Sequence, residues 1–162
     1  MKTIMNILLC LAIAASMVSC GMSGNKKEEG KLSRKEKKEV KKILDDRSDK
    51  VEIKGDKVIR TTKGLGATSV TVYHFEKDKL TSISLQTEVA NNSRALELRD
   101  FYKENRPENF TDISVKDRTV TCLYGPTMVQ LYSSLTKKSL RDKLQKEIDE
   151  SKEFMESIKD KL

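Results

Sequence analysis

Three stretches of this chain alternate apolar and polar side chains on either side of a short turn, and that period of two constrains the fold more than any other feature. They are VEIKGDKVIRTT (51–62), TSVTVYHFEKDKLTSISLQTEV (68–89) and TDISVKDRTVTCLY (111–124). In a strand, alternate residues point to opposite faces, so such runs read as β-hairpins with one face inward. Gly55-Asp56 suits a two-residue type II′ loop by its leading glycine and sets Ile53 opposite Val58. Asp117-Arg118 as a loop sets Val115 opposite Val120 and Ile113 opposite Cys122, with Tyr124 next on that face. With Lys77-Asp78 as the middle loop, Val72 opposes Ile83, Val70 opposes Leu85, and His74 opposes Thr81 on the same face. Tyr73, Phe75 and Leu80 then share the other face with Thr71, Ser82 and Ser84. The loops KGDK, EKDK and VKDR look alike because turns draw on few residue types, not because the chain repeats.

Helical signals flank the hairpins. Ser33-Arg34-Lys35-Glu36 is a capping box, which predicts a helix from about Arg34 to Asp46 with a thin apolar face of Val40, Ile43 and Leu44. NNSRALELRDFYKENRP predicts a helix capped by Asn92 or Ser93 and ended by Pro107, with Ala95, Leu98, Phe101 and Tyr102 on one face. Thr136 as N-cap, with Leu135 and Leu140 as a hydrophobic staple, opens a long last helix. Its stripe is Leu140, Leu144, Ile148, Met155, Ile158 and Leu162. GPTMVQLYSS fits either a short helix or a strand. The expected fold is α+β: an antiparallel sheet of about six strands in three hairpins, with about three helices including a long C-terminal one. One face of the sheet packs on the core and the other stays partly wet.

The first nineteen residues read differently. Lys2 gives a positive start, Ile4–Ala15 is apolar apart from Asn6, and Ser16–Ser19 is mostly small. That is the layout of a secretory signal. The apolar run is shorter than the ~20 residues a membrane-spanning helix needs. Met17-Val18-Ser19-Cys20 resembles the lipobox of bacterial lipoproteins, with methionine in place of the usual leucine. The resemblance implies a cut after Ser19, diacylglyceryl on the Cys20 sulfur and an acyl group such as palmitate on the new N-terminus. A thiolate is the nucleophile such a thioether requires. Two or three chains anchor stably where one does not. Gly21 follows Cys20 where an aspartate would suggest inner-membrane retention, so the expected address is the outer membrane, on its periplasmic or its surface side. Lys27-Glu28-Glu29 resembles the short charged signals that send some lipoproteins to the cell surface.

The expected organisation is a signal peptide 1–19, a lipid-anchored flexible tether 20–32 and a single domain 33–162. Processing takes the formal charge from +7 to +6 by removing Lys2 and leaves 143 residues, Cys20–Leu162. Cys122 then has no cysteine left to pair with, and its place in an alternating strand predicts a small buried side chain. Between Lys26 and Lys50 there are eleven basic and seven acidic residues. Interleaved signs are the pattern of a solvated helix face; the alternative is a basic arm near anionic headgroups.

Little in the sequence suggests catalysis. One histidine excludes H-E-x-x-H and any two-histidine metal motif, and His74 with Cys122 is a poor zinc set. No cofactor motif is present: KGLGATS lacks the full G-x-x-x-x-G-K-[ST] and precedes a strand, not a helix, so it reads as a loop. Export, mixed charge and few aromatics argue against nucleic acid. The reading is a lipid-anchored envelope protein, non-catalytic, binding or assembling with an envelope protein or glycan, and touching the membrane through lipid on Cys20. The alternative is a small hydrolase centred on His74. The candidate contact residues are Tyr73, Phe75 and Leu80, which either lie under a helix or loop or form an apolar patch for a partner.

Overall fold

A computed structural model describes residues 33–162. The expected signal segment, the lipidation site Cys20 and the tether through residue 32 lie outside the described residues. The elements are α1 (Arg34–Asp45), β1 (Ser48–Lys54), β2 (Lys57–Gly64), β3 (Ala67–Glu76), β4 (Lys79–Glu88), α2 (Asn92–Asn105), β5 (Phe110–Lys116), β6 (Thr119–Tyr124), α3 (Pro126–Tyr132) and α4 (Lys137–Lys161). A 3₁₀ turn at Pro107–Asn109 leads into β5. The strands form one antiparallel sheet in the order β1-β2-β3-β4-β6-β5. The class is α+β as expected. The described residues hold four α-helices, not three, because the ambiguous GPTMVQLYSS is helical. Pro126 stands at its first position, where a missing N–H costs nothing.

The chain divides into two compact units: Asp46–Ile148, and the residues up to Asp45 together with Asp149–Leu162. The first holds the sheet, α2, α3 and the start of α4. The second holds α1 and the end of α4.

Turn chemistry makes the first four strands a continuous meander. Gly55 has φ +58 and Asp56 is not left-handed, as the type II′ loop requires. The expected first and second hairpins are joined by Leu65-Gly66, both left-handed at φ +56 and +72. Lys77-Asp78 is likewise left-handed throughout, at +47 and +64. After β4 the chain crosses through α2 to the far edge as β5, and β6 returns to pair with β4.

Helix caps follow the sequence closely. Ser33 N donates to Glu36 Oε2 (2.8 Å) and Glu36 N donates to Ser33 Oγ (3.3 Å), closing the capping box. Ser139 N donates to Thr136 Oγ1 (3.2 Å) at the start of α4. At α2 the cap is Asn91, one residue earlier than expected: its Oδ1 accepts from Arg94 N at 3.0 Å.

The middle hairpin corrects the expected register. The Lys77-Asp78 loop does pair Glu76 with Lys79 and Phe75 with Leu80. A β-bulge then leaves Thr81 without a partner, and His74 pairs with Ser82, Tyr73 with Ile83 and Thr71 with Leu85. Thr81 Oγ1 donates to His74 O at 3.2 Å within the bulge. A slip of one residue exchanges the faces of everything beyond it. Tyr73, Phe75 and Leu80 therefore share the inner face with Ile83 and Leu85, while Val70 and Val72 take the outer face.

Two contiguous clusters make the core on the inner face. Val58, Tyr73, Phe75, Leu80 and Ile83 pack with Leu140 and Leu144 of α4, with Tyr132 and Leu135 alongside. Leu85, Val120 and Cys122 pack with Ala95 of α2, with Leu98, Tyr102, Phe110 and Tyr124 alongside. A register shift leaves Thr111 of β5 without a register partner in β6, which lets Phe110 face Tyr124, with ring centroids 4.7 Å apart. In this unit α2, α3 and α4 contribute to that one side of the sheet.

Candidate functional site

The expected contact residues are core. Tyr73 is 6% exposed, Phe75 2% and Leu80 7%. Tyr73 meets Tyr132 edge to face at 5.7 Å, and burial raises its phenol pKa well above the usual value. These side chains offer a partner nothing to touch.

The outer face of the sheet takes their place. Ile59, Val72, Ser84 and Leu123 are successive partners across β2, β3, β4 and β6. The row ends at Glu52 on β1 and Asp112 on β5. The adjacent row runs Lys50, Thr61, Val70, Gln86, Thr121 and Ser114. Ile59, Val70 and Val72 are half-buried and Leu123 is 42% exposed. The result is a strip with an aliphatic centre, bordered by hydroxyls and closed at β1 by charge. Lys50 and Lys54 both hold Glu52, at 2.7 Å each. Branched aliphatics beside hydroxyls offer a partner apolar area and hydrogen bonds together.

His74 lies on this outer face, half-buried, between Lys57 on β2 and Ser82 on β4. The serine–histidine juxtaposition exists, but neither cross-strand neighbour is a carboxylate that would orient the imidazole. The expected pairing of His74 with Thr81 is displaced by the bulge.

Other chemically notable groups are committed to structure. On the inner face the Asp49 carboxylate, 3% exposed, accepts from Arg47 Nε at 3.0 Å and from the Thr62 hydroxyl, with Arg60 Nη2 at 3.6 Å. Arg60 Nη1 reaches Glu147 Oε2 of α4 at 3.5 Å. This chain of charges ties β1, β2 and α4 together, and only the buried Arg60 Nε lacks a partner among the described residues. Buried charges persist when paired in this way. Ser69 and Thr87 hydroxyls bond each other at 3.0 Å across β3 and β4, giving the buried Thr87 its partner. Cys122 is 1% exposed, and burial, with Asp112 adding to it, pushes its thiol up to about 12. A thiol held protonated is a poor nucleophile, which fits the expected packing role. Among the described residues no cluster of three His, Cys, Asp or Glu side chains is arranged to hold a metal. No helix among them is long and apolar enough to cross a membrane.

The sequence reading missed Ile59, Val72 and Leu123 as a set because they come from three strands and one bulge decides which face Val72 takes. One signal was legible. Leu80 and Ile83 are three apart, and only a bulge puts both on the face that holds Phe75 and Tyr73, the largest apolar side chains of the hairpin. Comparison with protein-family models, with curated proteins and with solved structures returns no match.

Proposed function

We propose that this chain is a lipid-anchored cell-envelope protein, held by lipid on Cys20 at the outer membrane, and that it acts as a binding or assembly module for an envelope protein or glycan. The lipobox-like Met17-Val18-Ser19-Cys20 supports the anchor. The observation that carries the binding reading is the outer-face row Ile59–Val72–Ser84–Leu123, which stays partly accessible while Val58, Tyr73, Ile83 and Cys122 of the same strands are buried. Two measurements test it. Cys20→Ala should leave unprocessed precursor and abolish labelling by a fatty-acid probe; normal labelling would remove the anchor. A photo-crosslinking residue at Val72 or Leu123 should give a discrete adduct in intact cells that the same residue at exposed Glu104 of α2 does not. Indistinguishable patterns from all three positions would remove the contact surface.

A hydrolase centred on His74 is the second reading, and Ser82 directly across from it is the observation in its favour. A fluorophosphonate probe that labels the protein and fails to label Ser82→Ala would support it. No labelling of the native protein would end it.

A further inference from the structure

We propose that the outward face of α1 lies against the anionic headgroups of the membrane that holds Cys20, so that the helix as well as the lipid engages the bilayer. This rests on the lipid-anchor reading and adds a second contact to it.

α1 is two-sided. Val40 and Leu44 are buried, and Arg34, Lys35, Lys38, Lys41 and Lys42 are exposed. At ~100° per residue those five bases fall within about 120° of arc, whose centre lies about 140° around the helix from the buried pair. Interleaved acids would blunt such a face, but two of the three in α1 are engaged elsewhere. Glu36 turns back to accept from the Ser33 N–H in the capping box, and Asp45 accepts from Lys159 Nζ at 2.8 Å. Glu39 alone remains, at the margin of the arc. Among the described residues the ion pairs include none of Arg34, Lys35, Lys37, Lys38, Lys41 or Lys42. Arg94, Arg99, Arg118 and Arg141, by contrast, each hold a carboxylate. Among the described residues, then, no ion pair neutralises the bases of that outward face.

Position supplies the second argument. Ser33 is thirteen residues from Cys20. Thirteen residues reach no more than about 45 Å whatever their conformation. α1 is thus the described helix held nearest in sequence to the lipid. Basic side chains brought within a Debye length, ~8 Å at physiological salt, are attracted to anionic lipid, and salt weakens that attraction. Because the apolar stripe of α1 is buried within the protein, the contact is electrostatic, of the kind a polybasic segment makes with anionic lipid. An acidic protein is the competing occupant, and vesicles free of protein separate the two.

The test uses the full-length lipidated protein, purified from membranes and reconstituted into vesicles of phosphatidylcholine alone or of phosphatidylcholine with phosphatidylglycerol. The acetylation rate of each lysine is read by mass spectrometry. Lys35, Lys38, Lys41 and Lys42 should react several-fold more slowly on the anionic vesicles, and high salt should abolish the difference. The double variant Lys38→Glu/Lys42→Glu should remove the slowing at Lys35 and Lys41, and Lys38→Arg/Lys42→Arg should keep it. Equal rates on both vesicle types would overturn the proposal. Slowing that survives the glutamate pair would assign the effect to another part of the chain and overturn it too. Protein that does not float with neutral vesicles would instead refute the anchor, and this contact with it. Flotation without a rate difference would refute the helix contact alone.

Discussion

At the scale of single residues, Leu65 is the side chain least suited to its backbone. It sits at φ +56 in the β2–β3 turn and is 50% exposed, so little packing offsets the left-handed conformation. For an ordinary L-residue that conformation costs roughly 1–2 kcal/mol. Asn-Gly is the favoured pair for such a turn. Leu65→Asn should therefore raise the melting temperature by a few degrees, about 1 kcal/mol; an unchanged or lower midpoint would count against this turn. Phe75 is the opposite case. At 2% exposure, between Val58, Ile83 and α4 side chains in one cluster, Phe75→Ser should cost about 3 kcal/mol or more. A change below about 0.5 kcal/mol, the size typical of exposed sites, would put Phe75 on the surface.

At the scale of elements, the bulge at Thr81 is the decisive local feature. Its removal leaves every other pair of the β3–β4 hairpin intact: Phe75 still meets Leu80, and Tyr73 still meets Ile83. Deleting Thr81 should therefore be tolerated, with a loss of no more than about 1 kcal/mol for the hydroxyl bond and the altered twist. Deleting Ser84 is costlier. Either Leu85 and Thr87 move to the outer face, or the bulge closes and Ile83 moves there instead, and each should unfold the protein or cost several kcal/mol. Circular dichroism and denaturant midpoints of the two deletions check the contrast, and similar losses for both would mean the bulge lies elsewhere.

At the scale of the whole molecule, burial of acidic side chains sets the response to alkali. Tyr73, Tyr102, Tyr124 and Tyr132 all have their pKa raised, with burial as the largest cause in each, and the Cys122 thiol is pushed up to about 12. These groups are neutral in both states at pH 7, so stability there does not depend on them. Above the ordinary thiol and phenol values, ~9 and ~10, the unfolded chain sheds its protons first, and each such group takes ~1.4 kcal/mol per pH unit from the folded state until its folded pKa is passed. Denaturant midpoints should stay flat from pH 7 to about 8.5 and fall steeply beyond 10. Cys122 should resist alkylation until the protein unfolds. A midpoint indifferent to pH up to 11 would mean that these phenols are exposed.

The sequence alone determined what depends on near neighbours. Two-residue turns pinned the first and third hairpins, a capping box placed α1, an N-cap with its hydrophobic staple placed α4, and alternation with a lone Cys122 foretold a buried thiol. Those signals are local because a turn or cap is decided within about four residues. The tertiary structure decided what depends on competition between distant groups. Val70 with Val72 and Tyr73 with Phe75 were equally good inner faces for β3 as a strand. The larger pair went inside because α3 and α4 offer Tyr132, Leu140 and Leu144 to fill against, and one bulged residue in β4 was enough to let Ile83 and Leu85 follow. The same choice moved the candidate contact surface to Ile59, Val72 and Leu123, residues that no single stretch of sequence brings together.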